Sequence, residues 1–411
     1  MKSKILPVSI LLSALSLFSS CEKEPVDTEP AKITLNKKAA EIIEADRAFG
    51  FELFREVLGL SDAENIMISP MSVSYALGMT YNGAAGTTLE AFEDVLHFGG
   101  LTEQEVNESY KDLMDQLLNL DDKVQFSLAN SIWYRLGFEV LGEFINTNRD
   151  YFDAEVSEID FSDPKTVEVI NGWIEEKTNG KIKDMLDYIP SDAVMYLINA
   201  IYFKAKWLYE FEKKDTYQGQ FNLEGGGTSP AGFMNLEGDF NYTVNGDFAA
   251  VELPYGDSTF SMVVMLPSAD KDVSDIVARM NTEQWDSWFA GSWVRAVNVH
   301  LPKFKYEFKD LLNDPLINLG LGVAFGGGAD FSRIRASGGI YISRVIHQTF
   351  IDVNEEGTEA AAATIVEMRE TSAGGGPVYF KADRPFLYVI RENSTGAIVF
   401  MGKVGRPEYG Q

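Results

Sequence analysis

The chain has 411 residues, with 62 acidic against 35 basic side chains, a net charge of −27 and a single cysteine. So acidic a chain does not hold nucleic acid or a heparin-like polyanion by bulk electrostatics, and no dense Lys/Arg run supplies a local basic patch. With 45% hydrophobic and 24% charged residues, it has the composition of a soluble globular protein able to bury a large core.

Residues 1–20 have the form of a signal segment: Lys2 and Lys4 at the start, then the apolar run Ile5 to Phe18, too short to span a bilayer as a helix. Cys21 follows Ser19-Ser20 and resembles a bacterial lipoprotein processing site, which implies lipidation there and a membrane anchor at the outer membrane or cell surface. The mature chain would then carry neither a free thiol nor a disulfide although exported. Residues 21–34 form a polar, Pro-bearing tether. Its acidic residues resemble the surface-export signal of Bacteroidetes lipoproteins, and a plain solvated linker is an equal reading.

The folded domain is expected from Leu35 to the C-terminus as one unit, since no internal repeat or linker divides it. Ala39 to Leu58 has the apolar spacing of an amphipathic helix. Asn65 to Ile68 reads as a short strand running into a helix at Pro70, tolerated in a first turn whose N–H groups lack acceptors. A second break falls at Asn82-Gly83. Val124 to Tyr134 reads as a strand, and Thr166 to Met185 as a helix ending in a turn at Asn179-Gly180. Ala193 to Trp207 is apolar too continuously for a one-sided sheet, so both its faces should be covered. Asn199 lies inside it and needs hydrogen-bond partners. Tyr217 to Pro302 is β-rich, with one helix expected over Asp275 to Trp288. Val297 to Phe308 alternates as a strand with an edge or bulge at Pro302. Two apolar strands joined at Glu392–Gly396 close the chain.

Between them lies the stretch around which the rest is arranged. Asn354-Glu355-Glu356-Gly357 reads as a turn. From Thr358 to Arg369 the residues alternate: Thr358, Ala360, Ala362, Thr364, Val366 and Met368 share one parity and carry no charge, whereas Glu359, Glu367 and Arg369 share the other. That is the period of a half-buried strand, yet four consecutive alanines favour a helix or a loop. Thr371 to Pro377 is a breaker-rich tip. A segment with the parity of a strand and the composition of a loop is suited to change state.

The hinge Glu355-Glu356-Gly357-Thr358-Glu359-Ala360-Ala361-Ala362-Ala363-Thr364, followed by Phe380-Lys381-Ala382-Asp383-Arg384-Pro385-Phe386-Leu387, resembles the serpin family, here with the look of a Bacteroidetes lipoprotein member. The resemblance implies an α+β fold: a single large domain with a central mixed β-sheet, further sheets, eight or nine helices and an exposed reactive centre loop over about residues 355–378. It implies that Ser69, Ser72, Asn199 and His347 form the shutter of the central sheet and that Trp207 lies at the breach, where the loop first goes in. Counting from Gly357 and back from Pro385, it places the reactive bond at Thr371-Ser372, which suits an elastase-like or subtilisin-like protease. Arg369-Glu370 is the alternative for a trypsin-like one.

Catalytic chemistry of the chain's own is not expected. The three histidines, His97, His300 and His347, have no metal-binding spacing, no Gly-x-Ser-x-Gly elbow is present, and the glycine runs match no nucleotide loop. The implied function is that of a monomeric inhibitor, without cofactor or metal. It would capture a serine protease, or a cysteine protease, as an acyl-enzyme while the hinge joins the sheet. The other reading is a non-inhibitory surface lipoprotein of the same fold acting as a binding module. The small, uncharged face Thr358, Ala360, Ala362, Thr364 favours the inhibitor.

Overall fold

The computed structural model describes residues 30–35, 37–358 and 376–410. The folded unit begins at Ala31, ahead of the expected Leu35: Ile33 is buried and its N–H donates to Ser394 Oγ at 3.0 Å, so the last tether residues belong to the body. Helix α1 (Lys37–Leu60) leads through β1 (Asn65–Ile68) to α2 (Pro70–Tyr81), α3 (Gly86–Val95) and α4 (Glu103–Leu117). Ser69 caps α2 by accepting from the Ser72 N–H, and Pro70 occupies the first turn, where its missing donor costs nothing. A reciprocal Thr102–Glu105 box starts α4. There follow β2 (Val124–Arg135), α5 (Gly142–Phe152), β3 (Glu155–Ile159), α6 (Lys165–Lys177) and β4 (Met195–Lys206).

The β-rich half holds β5 (Tyr217–Asn222), β6 (Thr228–Val244), β7 (Phe248–Tyr255) and β8 (Phe260–Pro267). The single helix expected over 275–288 is two, α7 (Val273–Arg279) and α8 (Thr282–Phe289), because Asn281 turns extended and caps the second by accepting from Gln284 N–H. The strand expected over 297–308 is likewise two: β9 (Trp293–Pro302) and β10 (Phe304–Leu311) belong to different sheets, and the chain changes sheet at Lys303. The last elements are α9 (Asn313–Leu319), β11 (Ile346–Asn354), β12 (Gly357–Thr358), β13 (Val378–Lys381), β14 (Phe386–Glu392) and β15 (Ile398–Val404).

Two sheets result. The larger runs β1-β15-β14-β8-β7-β6-β9-β13, with β5 on β6. The central one runs β10-β11-β12-β4-β2-β3 and is mixed, since β2 and β3 are parallel and its other pairs antiparallel. Both faces of β4 are covered, as its continuous apolar sequence requires. Ile201, Phe203 and Ala205 enter the main core, where Phe203 meets Tyr255, Phe260 and Phe400 edge-on. Ile198 faces the other way, into a cluster with Ile170 and Ile174 of α6. Helix α2 lies beneath the central sheet, drawn close to α1 where Gly50 meets Pro70; a Cβ at 50 would stand 2.8 Å from the proline ring.

Candidate functional site

In the central sheet, among the described residues, the two residues of β12 lie between β11 and β4. Gly357 pairs with Lys206 and Asn354, and Thr358 with Ala205 and Val353, all antiparallel. The turn before them is the expected one, and Gly357 has φ +149. No other residue fits there: a Cβ would stand 2.1 Å from the Ala205 carbonyl oxygen. The Thr358 side chain points into the core, its hydroxyl 2.7 Å from the Tyr255 hydroxyl. The first residue of the uncharged parity therefore faces inward.

Around this point the chain is held by several elements at once. Trp207 stacks on Tyr255 with ring centroids 4.3 Å apart, donates from Nε1 to Asn354 O at 2.9 Å, and donates its backbone N–H to Glu356 O at 3.1 Å. Glu355 is buried, with Lys303 at 3.0 Å and the Thr216 hydroxyl at 2.9 Å. Burial pushes its carboxyl up, but its own backbone N–H, Lys303 and Thr216 outweigh that and hold it below the ordinary glutamate value. The chain's end closes over the same place. Lys305 N–H donates to Glu408 O at 2.7 Å, and the Lys303 ammonium lies 4.1 Å from the Tyr409 ring centroid. Burial, helped by the Asp352 carboxylate, pushes the Tyr409 phenol up to about 12.

Further down the sheet, Ser69, Ser72, Asn199 and His347 meet. The Ser69 N–H donates to His347 Nε2 at 3.0 Å, and the Ser69 hydroxyl donates to Val399 O at 2.8 Å. Ser72 hydrogen-bonds Asn199, whose amide donates to Asn130 Oδ1 at 2.6 Å, and Asn130 in turn donates to Phe152 O. Asn199, half-buried, thus has the hydrogen-bond partners expected of it. His347 is fully enclosed, and burial pulls it down from the ordinary histidine value to about 4. A neutral ring is what the geometry needs, because Nε2 accepts and so carries no proton. Further down the sheet from Thr358 lies a cavity of about 390 Å3, lined among others by Leu77 and Thr80 of α2, Leu197 and Asn199 of β4, and Ile346 and His347 of β11.

An inward-facing hinge threonine thus lies between two strands of the central sheet, above a cavity. The model of the family described as "Serpin (serine protease inhibitor)" matches residues 44–407. The chain is a serpin. It is similar to a serpin-like protein of Methanosarcina acetivorans, at 34% identity over 99% of each chain, and to human serpin B4, at 31% identity over 89% of this chain and 99% of that one. Among solved structures, tengpin, a thermophilic serpin in its native state, superposes with a TM-score of 0.83 at 33% identity, covering 92% of this chain and 96% of that one. The family is one of protease inhibitors rather than catalysts.

Among the described residues no group of three His, Cys, Asp or Glu side chains is placed to hold a metal. Of the other residues singled out in the sequence, Cys21, Ala360, Ala362, Thr364, Arg369, Glu370, Thr371 and Ser372 lie outside the described residues. Sequence reasoning missed Tyr255, Asn130 and Lys303, which receive the hinge threonine, Asn199 and Glu355. Nothing in their local sequence marks them; they matter through contacts across long stretches of chain.

Proposed function

We propose that this serpin inhibits by suicide-substrate capture: a protease cleaves Thr371-Ser372, is held as an acyl-enzyme, and is carried off as the hinge becomes a full strand between β4 and β11. The observation that carries the reading is the register of β12. Continuing it one residue at a time down both neighbours would bring Ala360 opposite Phe203 and Ile351, Ala362 opposite Ile201 and Thr349, and Thr364 opposite Asn199 and His347. Small residues would meet the large inward side chains, and the threonine hydroxyl would meet the polar cluster of Ser72, Asn199 and His347. Val366 and Met368 follow on the same parity, toward the cavity.

A small β-branched residue before the bond suits an elastase-like or subtilisin-like protease; Arg369-Glu370 would serve a trypsin-like one with a shorter inserted strand. The protein acts as a monomer on the outside of a bacterial cell, anchored through lipid on Cys21. Incubation with elastase, subtilisin and trypsin followed by denaturing electrophoresis tests the mechanism. A complex that survives denaturation is expected with at least one of them. Cleavage without complex by all three would leave the binding-module reading in its place. Loss of fatty-acid labelling in Cys21→Ala checks the anchor.

A further inference from the structure

The cavity beside α2 is of a size and polarity to hold a ligand. Its volume of about 390 Å3 falls within the roughly 300–1,000 Å3 of small-molecule sites. Burial separates its floor from its mouth. Leu77, Ile198, Leu312, Phe331 and Ile334 are buried and apolar, whereas Asp192, Tyr341 and Ser343 of the lining are exposed and mark where it opens. The floor takes an apolar body, and the mouth decides what head that body carries.

Arg344 lines the mouth. Its guanidinium lies over the Tyr188 ring, 4.8 Å from the centroid, and donates to Tyr188 O at 3.1 Å and to the Tyr196 hydroxyl at 3.4 Å. These contacts hold the group in place, yet both acceptors are neutral, and among the described residues no carboxylate bonds it. Asp192, the acid of the lining, is exposed to water. A planar guanidinium held in this way, with further N–H groups to donate, matches a carboxylate through two parallel hydrogen bonds.

We propose that the cavity binds a single-chain fatty carboxylate, its head on Arg344 and its tail along the apolar floor against α2. Occupancy would regulate the inhibitor. Carried on down the sheet, the register of β12 would bring Val366 opposite Leu197 and Val345, and Met368 opposite Met195 and Ser343, and each of these four neighbours lines the cavity. The tail and the end of the inserting strand compete for the same space, so a bound chain stops insertion part-way and leaves the acyl-enzyme to hydrolysis. This second step rests on the capture mechanism proposed above; the binding step does not.

Calorimetric titration of the full chain with decanoate, kept below its critical micelle concentration, tests the site. One saturable equivalent is expected for the parent. Arg344→Gln should weaken decanoate about tenfold, the worth of one charge-assisted hydrogen bond, and leave uncharged decanol within about twofold. Ala76→Met, which fills the cavity from α2, should weaken both about tenfold, with an unchanged thermal midpoint certifying the fold. Binding that is absent, unsaturable or equal in the parent and Arg344→Gln would overturn the site. For the regulation, saturating decanoate should raise the ratio of cleaved product to complex about fivefold with elastase or subtilisin, and Arg344→Gln should need about ten times more decanoate for the same rise. An unchanged ratio in the saturated parent would overturn the competition. If no protease gives complex even without decanoate, the capture reading fails and takes the regulation with it, while the titration still decides the site.

Discussion

Two fully buried groups titrate in opposite senses. His347 stays neutral down to about pH 4, so unfolding takes up a proton below its ordinary value of 6.5; its contribution is complete above that value and is lost as pH falls toward 4. Asp46 accepts from the Ser74 hydroxyl at 2.6 Å and the Tyr110 hydroxyl at 3.0 Å, yet burial outweighs them and raises its carboxyl to about 7. It keeps its proton in the folded chain, so its contribution is complete below 3.8 and is lost as pH rises through 7. Between pH 5 and 7 each tilts stability by about 2 kcal/mol, in opposite directions. The parent's thermal midpoint should therefore change little over that range on their account. His347→Gln, which leaves the Asp46 slope alone, should lose stability from pH 5 to 7; Asp46→Asn should lose it from pH 7 to 5. Parallel curves for the two variants would refute the assignment. Neither behaviour is legible in sequence, where His347 could be read as a hydrogen-bonding core residue but Asp46 was one of 62 acidic side chains.

At the scale of the element, the two-residue strand β12 decides what the hinge can do. Gly357→Ala sets a methyl against the Ala205 carbonyl and forces the hinge out from between β4 and β11. The Trp207 indole, bonded to Asn354 O, should report that by a shift in emission, and the fraction of protease captured should fall. Thr358→Arg places a charge in the buried seat beside Tyr255 at a cost of several kcal/mol, and every ~1.4 kcal/mol added to the insertion barrier shifts its competition with hydrolysis tenfold. The moles of inhibitor consumed per mole of protease should rise more than tenfold. Glu359→Arg, on the other parity, should change it little, and equal behaviour of the two would remove the alternation argument. The sequence carried this site well: period and composition marked the turn, the glycine and the inward threonine. It could not carry the lysine between β9 and β10 that neutralises Glu355, or the tail that covers it, because those depend on chain order across sheets.

For the molecule as a whole, the proposed mechanism requires the central sheet to accept one more strand between β4 and β11. Limited proteolysis in the loop should add a strand and raise the thermal midpoint by on the order of 10 °C or more, given about 1 kcal/mol per new ladder bond and the apolar surface covered with it. An unchanged midpoint would mean that nothing inserts. Mass spectrometry of the C-terminal peptide released on denaturing a complex should give Ser372 as its first residue; Glu370 instead would move the target to trypsin-like proteases. The architecture was readable because its long apolar strands and capped helices are strongly patterned. Two of the boundaries that differed, at Asn281 and Lys303, are places where the pattern continues but the chain turns, at a cap in one case and a change of sheet in the other.

Because Thr358 is already seated, an inserting loop would be read from a fixed starting point, two residues at a time. Its message therefore has a frame. Deleting a single alanine between Thr358 and Thr364 would send every later residue to the wrong face, Glu367 and Arg369 inward, while deleting two would restore the sense and merely shorten the text.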